Sequence, residues 1–192
     1  AGVTERISIG TRVLILPYRA PLPTAKWIAS IQQLSGGRLQ LGAGVGWMEA
    51  EFKALGIDRS RRGKITDETL AFINECFDGE DDEITANGQT FLFRPRPQKP
   101  PIYVGGQAPH ALRRAVQYGD GWAVPSGAPD ELREPIADLR RLFEEAGKPA
   151  PEILVQIKTS MAELGDTKGL GDVADRIKAL ADVGVTRISL GV

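Results

Sequence analysis

Two glycine-rich segments are the parts of this sequence whose residue types and spacing can do chemistry. The first, LSGGRLQLGAGVGW (34–47), places glycines at positions 42, 44 and 46, and the second, IYVGGQAPHAL (102–112), places Gly105 and Gly106 before a helix-like stretch. Glycine lets backbone approach a ligand closely and present N–H donors without side-chain bulk. Each segment alone is also explained as a tight turn, whereas two of them, each after a strand, favour a ligand site.

The first segment departs from the dinucleotide-binding fingerprint. That fingerprint is Gly-x-Gly-x-x-Gly opening directly into a helix, with an acidic residue about twenty positions further on. Here the third glycine, Gly46, comes one position early, and Asp58 is too near the turn. A doubly wound nucleotide-binding fold therefore remains an alternative that the strand order would decide.

The second segment runs into a predicted helix that starts near Pro109. Proline suits the first turn of a helix, where free backbone N–H groups favour a phosphate or carboxylate. His110, the only histidine of the chain, lies in that first turn. It is interpreted either as an ordinary exposed helix residue or as a phosphate contact.

The remaining reactive side chains do not form a recognisable catalytic set. No carboxylate pair, Ser-His-Asp set or Cys-His pair is evident, and Cys76 shares a helical face with Phe72 and Ile73, which favours a place in the core. Arg19 is either a solvated loop residue or a contact for an acidic substrate. We therefore expect the chemistry to come from a cofactor, with catalytic residues unassigned.

Composition excludes several classes of function. The 192 residues include 42% hydrophobic and 26% charged residues, and the net charge is -1, so nothing favours nucleic acid or an anionic membrane surface. No apolar run reaches the roughly 18 residues of a membrane span, and no signal peptide is evident at the start. A single cysteine excludes an internal disulfide, and with one histidine it argues against structural zinc. We therefore expect a cytoplasmic protein without a metal site.

Short β-rich runs alternate with helical patterns along the chain. The predicted strands are 6–16 (nearly all apolar, typical of a strand buried on both faces), 39–42, 102–104, 121–124, 153–157 and 185–190. The predicted helices are 24–34 (Trp27, Ile31 and Leu34 at helical spacing, with Gly36 as a stop), 49–55, 64–77, 109–118, 131–146 and one through Val173, Ile177 and Leu180 capped by Gly184. Pro135 either kinks the 131–146 helix or marks its start. Asn87-Gly88 predicts a hairpin within 83–93.

Repeated βα units imply a parallel sheet, either doubly wound or closed as a (β/α)8 barrel.

Several ordered motifs resemble the bacterial luciferase-like monooxygenase and F420-dependent oxidoreductase family. The run RISIGTRVLILPYRAPLPTAKWIASIQQLSGGRLQLGAGVGW is similar to its third strand, "LSGGR" and "LGxGxGW", and RRGKITDE (61–68) to the opening of its next helix. PPIYVGGQAPHALRRAVQYGDGW resembles its fifth-strand "GG" turn and sixth-strand "GDGW", and DVADRIKALADVGVTRISLGV its last βα unit. The glycine segments are thereby interpreted as cofactor-side loops of a barrel.

The resemblance implies an α/β fold, a (β/α)8 TIM barrel that binds FMN or the deazaflavin F420. In that family the ring lies against a bulge at the end of the third strand, which Gly10–Val13 match here. The turns after the fourth and fifth strands, matched by Gly42–Gly46 and Gly105–Ala108, approach the cofactor tail and phosphate. Thr11 is predicted to add a hydroxyl to the flavin edge, and Trp47 and Trp122 either wall the pocket or belong to the core. The implied cofactor-binding residues are Gly10, Thr11, Arg12, Val13, Gly42, Ala43, Gly44, Gly46, Gly105, Gly106, Gln107 and Ala108.

The chain departs from the family pattern because the first two βα units are missing ahead of the strand that starts at Arg6. We expect one domain over residues 1–192, N-terminally incomplete, and three explanations stay open: a fragment of a full enzyme, which we favour, a chain that pairs with another copy, and a shortened relative without turnover. The expected function is that of an oxidoreductase or monooxygenase acting on a small organic substrate, in a homodimer: reduced F420, which is favoured, would transfer a hydride to the substrate, or FMN would insert oxygen from O2. The alternative is a non-catalytic flavin-binding or assembly protein of the same fold.

Overall fold

The computed structural model describes residues 2–79 and 82–191, which fall into two compact units, Ala1–Ile102 and Tyr103–Val192. The first unit contains β1 (Ile9–Gly10), β2 (Leu14–Ile15), α1 (Pro21–Leu34), β3 (Leu39–Gly44), α2 (Glu49–Ala54), α3 (Arg62–Asp78), β4 (Glu83–Ala86) and β5 (Gln89–Leu92), with 3-10 turns at Leu16–Tyr18 and Arg59–Arg61. β6 (Ile102–Gly105) crosses the boundary. The second unit continues with α4 (His110–Tyr118), β7 (Gly121–Val124), α5 (Pro129–Glu145), β8 (Glu152–Lys158), α6 (Met161–Gly165), α7 (Thr167–Asp182) and β9 (Arg187–Gly191).

The strands of each unit pair in parallel, as the βα alternation predicts. In the first unit β1 and β2 both pair with β3, and in the second β6, β7, β8 and β9 pair in chain order. The exception is the antiparallel hairpin of β4 and β5, whose turn residues Asn87 (φ 50°) and Gly88 (φ 71°) both have positive φ. The prediction from the Asn-Gly pair is confirmed, because a tight hairpin turn of this type needs left-handed backbone at both positions.

Each unit has its own apolar core beneath its helices. In the first unit the large buried side chains come from the strands and from α1, α2 and α3: Leu16, Ile28, Leu41, Phe52, Leu70 and Ile73. In the second unit they come from the parallel strands and α5: Tyr103, Trp122, Ile136, Phe143, Ile153 and Val155. The strand ends that carry the glycine segments are therefore anchored by buried residues within the same unit.

The prediction of one continuous strand over residues 6–16 is wrong. β1 and β2 are two-residue pieces separated by Thr11, Arg12 and Val13, and Ile7 before them is exposed. An almost continuous apolar run is typical of a buried parallel strand, but it does not show where the partner strand stops matching it.

Helix α1 also differs from its prediction, since it starts at Pro21 and turns a different face inward. Trp27 and Leu34 are 46% and 81% exposed, while the small or polar residues Thr24, Ala25, Ala29 and Gln32 are buried together with Ile28. Gln32 is buried because its side chain accepts from the Leu39 N–H (3.0 Å) and donates to the Gln98 carbonyl (3.1 Å). These bonds stabilise the connection from α1 to β3.

Other boundaries shift by a few residues. Helix α5 starts at Pro129 and contains Pro135, so Pro135 does not mark its start. Helix α4 begins at His110 with Pro109 at its N-cap, and α7 is preceded by the separate short helix α6.

An ionic cluster joins the strands of the second unit at their amino ends. The Tyr103 hydroxyl on β6 donates to Glu152 Oε2 on β8 (2.5 Å), and the Arg187 guanidinium on β9 makes a two-pronged contact with the same carboxylate (Nη2 to Oε1, 2.9 Å). The hydrogen bond from Arg187 lowers the pKa of Glu152, and burial together with Glu152 raises the pKa of Tyr103. This cluster lies at the opposite end of β6 from Gly105, so we assign it to stability.

Candidate functional site

A one-residue bulge interrupts the first parallel pair. Gly10 pairs with Gln40 and Leu14 pairs with Ala43, so the chain advances four residues on one side and three on the other (14 minus 10 against 43 minus 40). The extra residue lies within Thr11–Val13, where the Arg12–Val13 peptide bond is cis. A bulge re-aims the residues that it contains. It coincides with the Gly10–Val13 segment that the family resemblance assigns to the cofactor ring.

Gly42 and Gly44 belong to β3 and pack directly against this bulge. A Cβ atom on Gly42 would lie 2.2 Å from the Thr11 carbonyl oxygen, and one on Gly44 would lie 2.4 Å from Val13 Cγ2. The prediction that the strand ends at Gly42 and a turn runs from there to Gly46 is therefore wrong for Ala43 and Gly44, which continue the strand. These two glycines are explained by close packing on the bulge, and any contact with a cofactor stays a prediction.

The Thr11 side chain of the bulge already has a hydrogen-bond partner within the first unit. The Thr11 hydroxyl donates to the Gly42 carbonyl (2.7 Å), which ties the bulge to β3. Its oxygen keeps only acceptor capacity for a ligand. Arg12 is half-buried, and this burial lowers the pKa of its guanidinium.

The segment after β3 carries Gly46 and Trp47. Gly46 has φ 75°, and a Cβ there would lie 2.8 Å from Ile15 Cγ2 and 3.0 Å from the Phe52 ring. Trp47 is 73% exposed, and its carbonyl accepts from Arg59 Nε (3.2 Å). Its ring therefore lies in solvent within the first unit rather than in the core.

The second glycine segment follows β6. Gly105 ends the strand and is buried, Gly106 has φ 132°, and Gln107 is exposed. The Gly106 carbonyl accepts a hydrogen bond from the Trp122 indole Nε1–H (2.8 Å). Trp122 lies on the neighbouring strand β7 and is 1% exposed, so its ring is core and its polar edge holds this segment.

A cavity of about 500 Å³ opens beside this segment, within the second unit. Its walls are the end of the glycine segment, the Trp122 edge, the loop after β7 and the start of α5; the lining includes Gln107, Ala108, Trp122, Ser126, Gly127 and Glu131. Gly127 packs closely on α5, since a Cβ there would lie 2.6 Å from Leu132 Cδ2. Pockets of about 300 to 1,000 Å³ are the usual size for small-molecule and cofactor sites.

The two helix starts beside this cavity differ in how they are capped. At α5 the Glu131 carboxylate accepts from the Ala128 N–H (2.9 Å), so an acidic group already occupies that start. Helix α4 has no side-chain cap, and exposed His110 is its first residue. An anionic ligand group is therefore favoured at α4 and disfavoured at α5.

The other candidate residues lie apart from these features. Cys76 is fully buried in α3, as predicted, and burial raises the pKa of its thiol to about 11. Arg19 is exposed, and its Nη1 is 3.4 Å from the Ile15 carbonyl. Within residues 2–79 and 82–191, no group of three His, Cys, Asp or Glu side chains is placed to hold a metal ion. In the same part of the chain, no helix has the length and apolar character needed to cross a membrane.

Sequence reasoning left one residue of this region undecided and missed another. It left open whether Trp122 belongs to the pocket or the core, and in the structure its ring is buried and borders the cavity. It did not consider Glu131, although an acidic residue in the first turn of a predicted helix is a recognised capping pattern.

The sequence profile of one family decides the classification. Residues 1–167 match the family described as luciferase-like monooxygenase. The chain belongs to this family. The match ends at Thr167, the first residue of α7, so the rest of α7 and all of β9 lie beyond the matched residues.

Relatives and solved structures agree with this assignment. An uncharacterized protein of Mycobacterium tuberculosis is 36% identical over 99% of this chain, which spans 64% of that relative, and a second one is 27% identical over 100%, which spans 66%. An F420-dependent secondary alcohol dehydrogenase in complex with an F420–acetone adduct is 19% identical, with a TM-score of 0.82 over 99% of this chain and 75% of that one. A type II Baeyer-Villiger monooxygenase component from the CAM plasmid of Pseudomonas putida, in complex with FMN, is 17% identical, with a TM-score of 0.67 over 95% of this chain and 62% of that one.

These comparisons confirm the predicted fold class. The fold is α/β with parallel strands, and it matches part of the luciferase-like TIM barrel, because this chain spans less than the full length of the relatives it resembles. The cofactor, the twelve predicted cofactor-binding residues and the homodimer stay predictions.

Proposed function

We propose that this chain is the cofactor-binding part of an oxidoreductase that uses F420, or alternatively FMN, on a small organic substrate. The observation that carries the proposal is the bulge at Thr11–Val13, held against β3 by the Thr11–Gly42 bond and by glycines that leave no space for side chains. This local construction matches what the family resemblance implies for the ring site. Bulges are common next to active sites, where they redirect residues, and binding of the cofactor ring would explain this one.

The residues of each segment fit parts of such a cofactor. In the first unit the bulge contributes half-buried Arg12 and Val13 and the acceptor oxygen of the Thr11 hydroxyl, whereas the Thr11 N–H already donates to the Gln40 carbonyl (3.3 Å). In the second unit Gln107 and Ala108 line the cavity and precede α4, whose start has no side-chain cap, a setting that favours a phosphate group.

The chemistry of hydride transfer or oxygen insertion is supplied by the cofactor when it is bound. This chain contributes binding and orientation: within the first unit the bulge would support a ring, and within the second unit the second glycine segment would accept a phosphate group. Glu131 adds a carboxylate to one side of the cavity, which would favour ligand hydroxyl groups near α5 and keep anionic groups towards α4.

The choice of F420 over FMN rests on the motifs. LGAGVGW and GGQAP resemble the F420-type branch of the family more than the FMN-type branch. The neighbour with the TM-score of 0.82 is F420-dependent, but an identity of 19% supports the fold and leaves the cofactor to experiment.

A titration of the purified chain with F420 and with FMN tests the proposal. The readouts are the ring absorbance and the quenching of tryptophan fluorescence, followed by turnover of the bound cofactor with small alcohols and aldehydes. Micromolar binding of F420 and weaker binding of FMN is the expected result. Binding of FMN alone would reassign the cofactor, binding without turnover would favour the non-catalytic flavin-binding protein, and binding of neither would refute the proposal for this chain.

A further inference from the structure

We propose that Trp122 is a positioning residue whose indole N–H selects the backbone conformation of residues 105–108 that accepts the cofactor phosphate. The inference rests on the proposed function. It assigns to a buried core residue a specific effect on one part of the ligand, the phosphate, and no effect on the ring.

The anchor is buried, and the segment that it holds reaches the surface. Trp122 lies in the middle of the parallel strands, paired with Val104 on β6 and with Ile153 on β8, and its ring is buried. The segment that it holds passes from buried Gly105 through half-buried Gly106 to exposed Gln107. The 2.8 Å hydrogen bond from Nε1 to the Gly106 carbonyl therefore connects the core to a surface segment.

Gly106 gives this segment a choice of conformations that such an anchor can select. Its φ of 132° lies in a region that glycine adopts freely. The next residue is tied to α4, because the Gln107 carbonyl accepts from the Ala111 N–H (3.1 Å), so the freedom lies in the peptide between Gly106 and Gln107. Rotation of the peptide between Gly106 and Gln107 is then an accessible alternative state. The hydrogen bond from Trp122 stabilises one of the two states.

The orientation of this peptide decides whether the segment attracts an anion. In a trans peptide the carbonyl oxygen and the following N–H point in opposite directions, so holding the Gly106 oxygen also sets the direction of the Gln107 N–H. With the oxygen bound to the indole, the partial negative charge is turned towards the core. In the rotated state that oxygen would be free to face a phosphate beside the uncapped start of α4, which is repulsive.

The test compares ligands that differ only in the phosphate. Trp122→Phe keeps an aromatic ring and removes the N–H, and Trp27→Phe, on exposed α1, is the matched control. Each variant is titrated with FMN and with riboflavin, and with F420 and its dephosphorylated chromophore. Without any ligand, hydrogen exchange of the Gln107 and Ala108 amides is measured in the same variants.

For Trp122→Phe we expect about tenfold weaker binding of the phosphorylated ligand, because the Gly106 carbonyl loses its hydrogen-bond donor and the conformation that accepts the phosphate is less stabilised. Binding of the ligand without phosphate should be unchanged. We also expect faster exchange of the two amides, and neither change in Trp27→Phe. Equal weakening of both ligands, or no weakening, would overturn the inference. If Trp122→Phe does not fold, benzothienylalanine at position 122, in a background of Trp27→Phe and Trp47→Phe, removes the N–H at nearly constant volume and decides the same question.

The two hypotheses fail in different ways. If the wild-type chain binds none of the four ligands, the proposed function is refuted, and the phosphate role of Trp122 falls with it. The exchange experiment then still decides whether Trp122 holds residues 105–108, and unchanged exchange would overturn that as well.

Discussion

Substituting Gly42 by alanine is the most direct perturbation of the bulge. The new Cβ would lie 2.2 Å from the Thr11 carbonyl oxygen and 3.2 Å from both the Thr11 carbonyl carbon and Val13 Cγ1. The first atom belongs to backbone, so it cannot rotate away. To reach an ordinary contact, β3 and the bulge must separate by about 1 Å. That movement also stretches the 2.7 Å hydrogen bond from Thr11 Oγ1 to the Gly42 carbonyl.

The expected cost follows from two opposing terms. Forcing an extra methyl group into a packed site costs about 1 to 3 kcal/mol. Replacing glycine by alanine restricts the unfolded chain and returns about 0.4 to 1 kcal/mol. We therefore expect Gly42→Ala to lower the free energy of unfolding by roughly 1 to 2 kcal/mol and to weaken binding of the cofactor ring, with or without its phosphate.

Urea denaturation followed by circular dichroism measures the first effect, and titration with riboflavin measures the second. Gly171→Ala is the matched control, because Gly171 is an exposed residue of α7 with no neighbouring atom within 4 Å of a Cβ. The same chemical change should there raise the free energy of unfolding by up to about 1 kcal/mol. A Gly42→Ala protein as stable as the wild type, with unchanged ring binding, would refute the argument that β3 and the bulge leave no space for a Cβ atom at position 42.

Two further predictions follow from the same geometry and from the ionic cluster. Gly44→Ala brings its Cβ to 2.4 Å from Val13 Cγ2, a side-chain atom, so we expect a destabilisation that Val13→Ala relieves; additive effects of the two substitutions in a double-mutant cycle would contradict this. Arg187 lowers the pKa of Glu152 below its usual 4.5, so the stabilisation from this carboxylate is present above about pH 4.5 and is lost as the pH falls through the lowered value. Acid unfolding curves should therefore be shallower for Glu152→Gln than for the wild type in that range, and superimposable pH dependences would show that the ion pair contributes nothing.

The sequence by itself determined the parallel α/β class and much of the secondary structure. Alternation of apolar β-rich runs with helical spacing is a local property, so it predicts strands such as 121–124, which the structure has with the same bounds. The Asn87-Gly88 hairpin was equally predictable, because its turn depends on the φ preferences of two adjacent residues.

The functional details of the first unit depend on pairing, which no single segment encodes. The family resemblance implied a bulge at Gly10–Val13, but the residues from Arg6 to Leu16 do not themselves mark one, since a bulge exists only as a mismatch of register with β3. The glycines at positions 42 and 44 were visible, but their closest neighbours come from a segment about thirty residues earlier. Sequence spacing therefore indicated a ligand turn where the structure has a strand packed on a bulge.

The same distinction holds in the second unit. The sequence placed Gly105 and Gly106 between a strand and a helix, because glycine and proline punctuate such connections locally. The structure confirms this for Gly106, whereas Gly105 is the last residue of β6. Only the tertiary structure brings the Trp122 indole to the Gly106 carbonyl and Glu131 to the cavity. Hydrogen bonds between neighbouring strands and loops are set by the pairing of β6 with β7, and that pairing is decided by the packing of the whole unit rather than by any one of its segments.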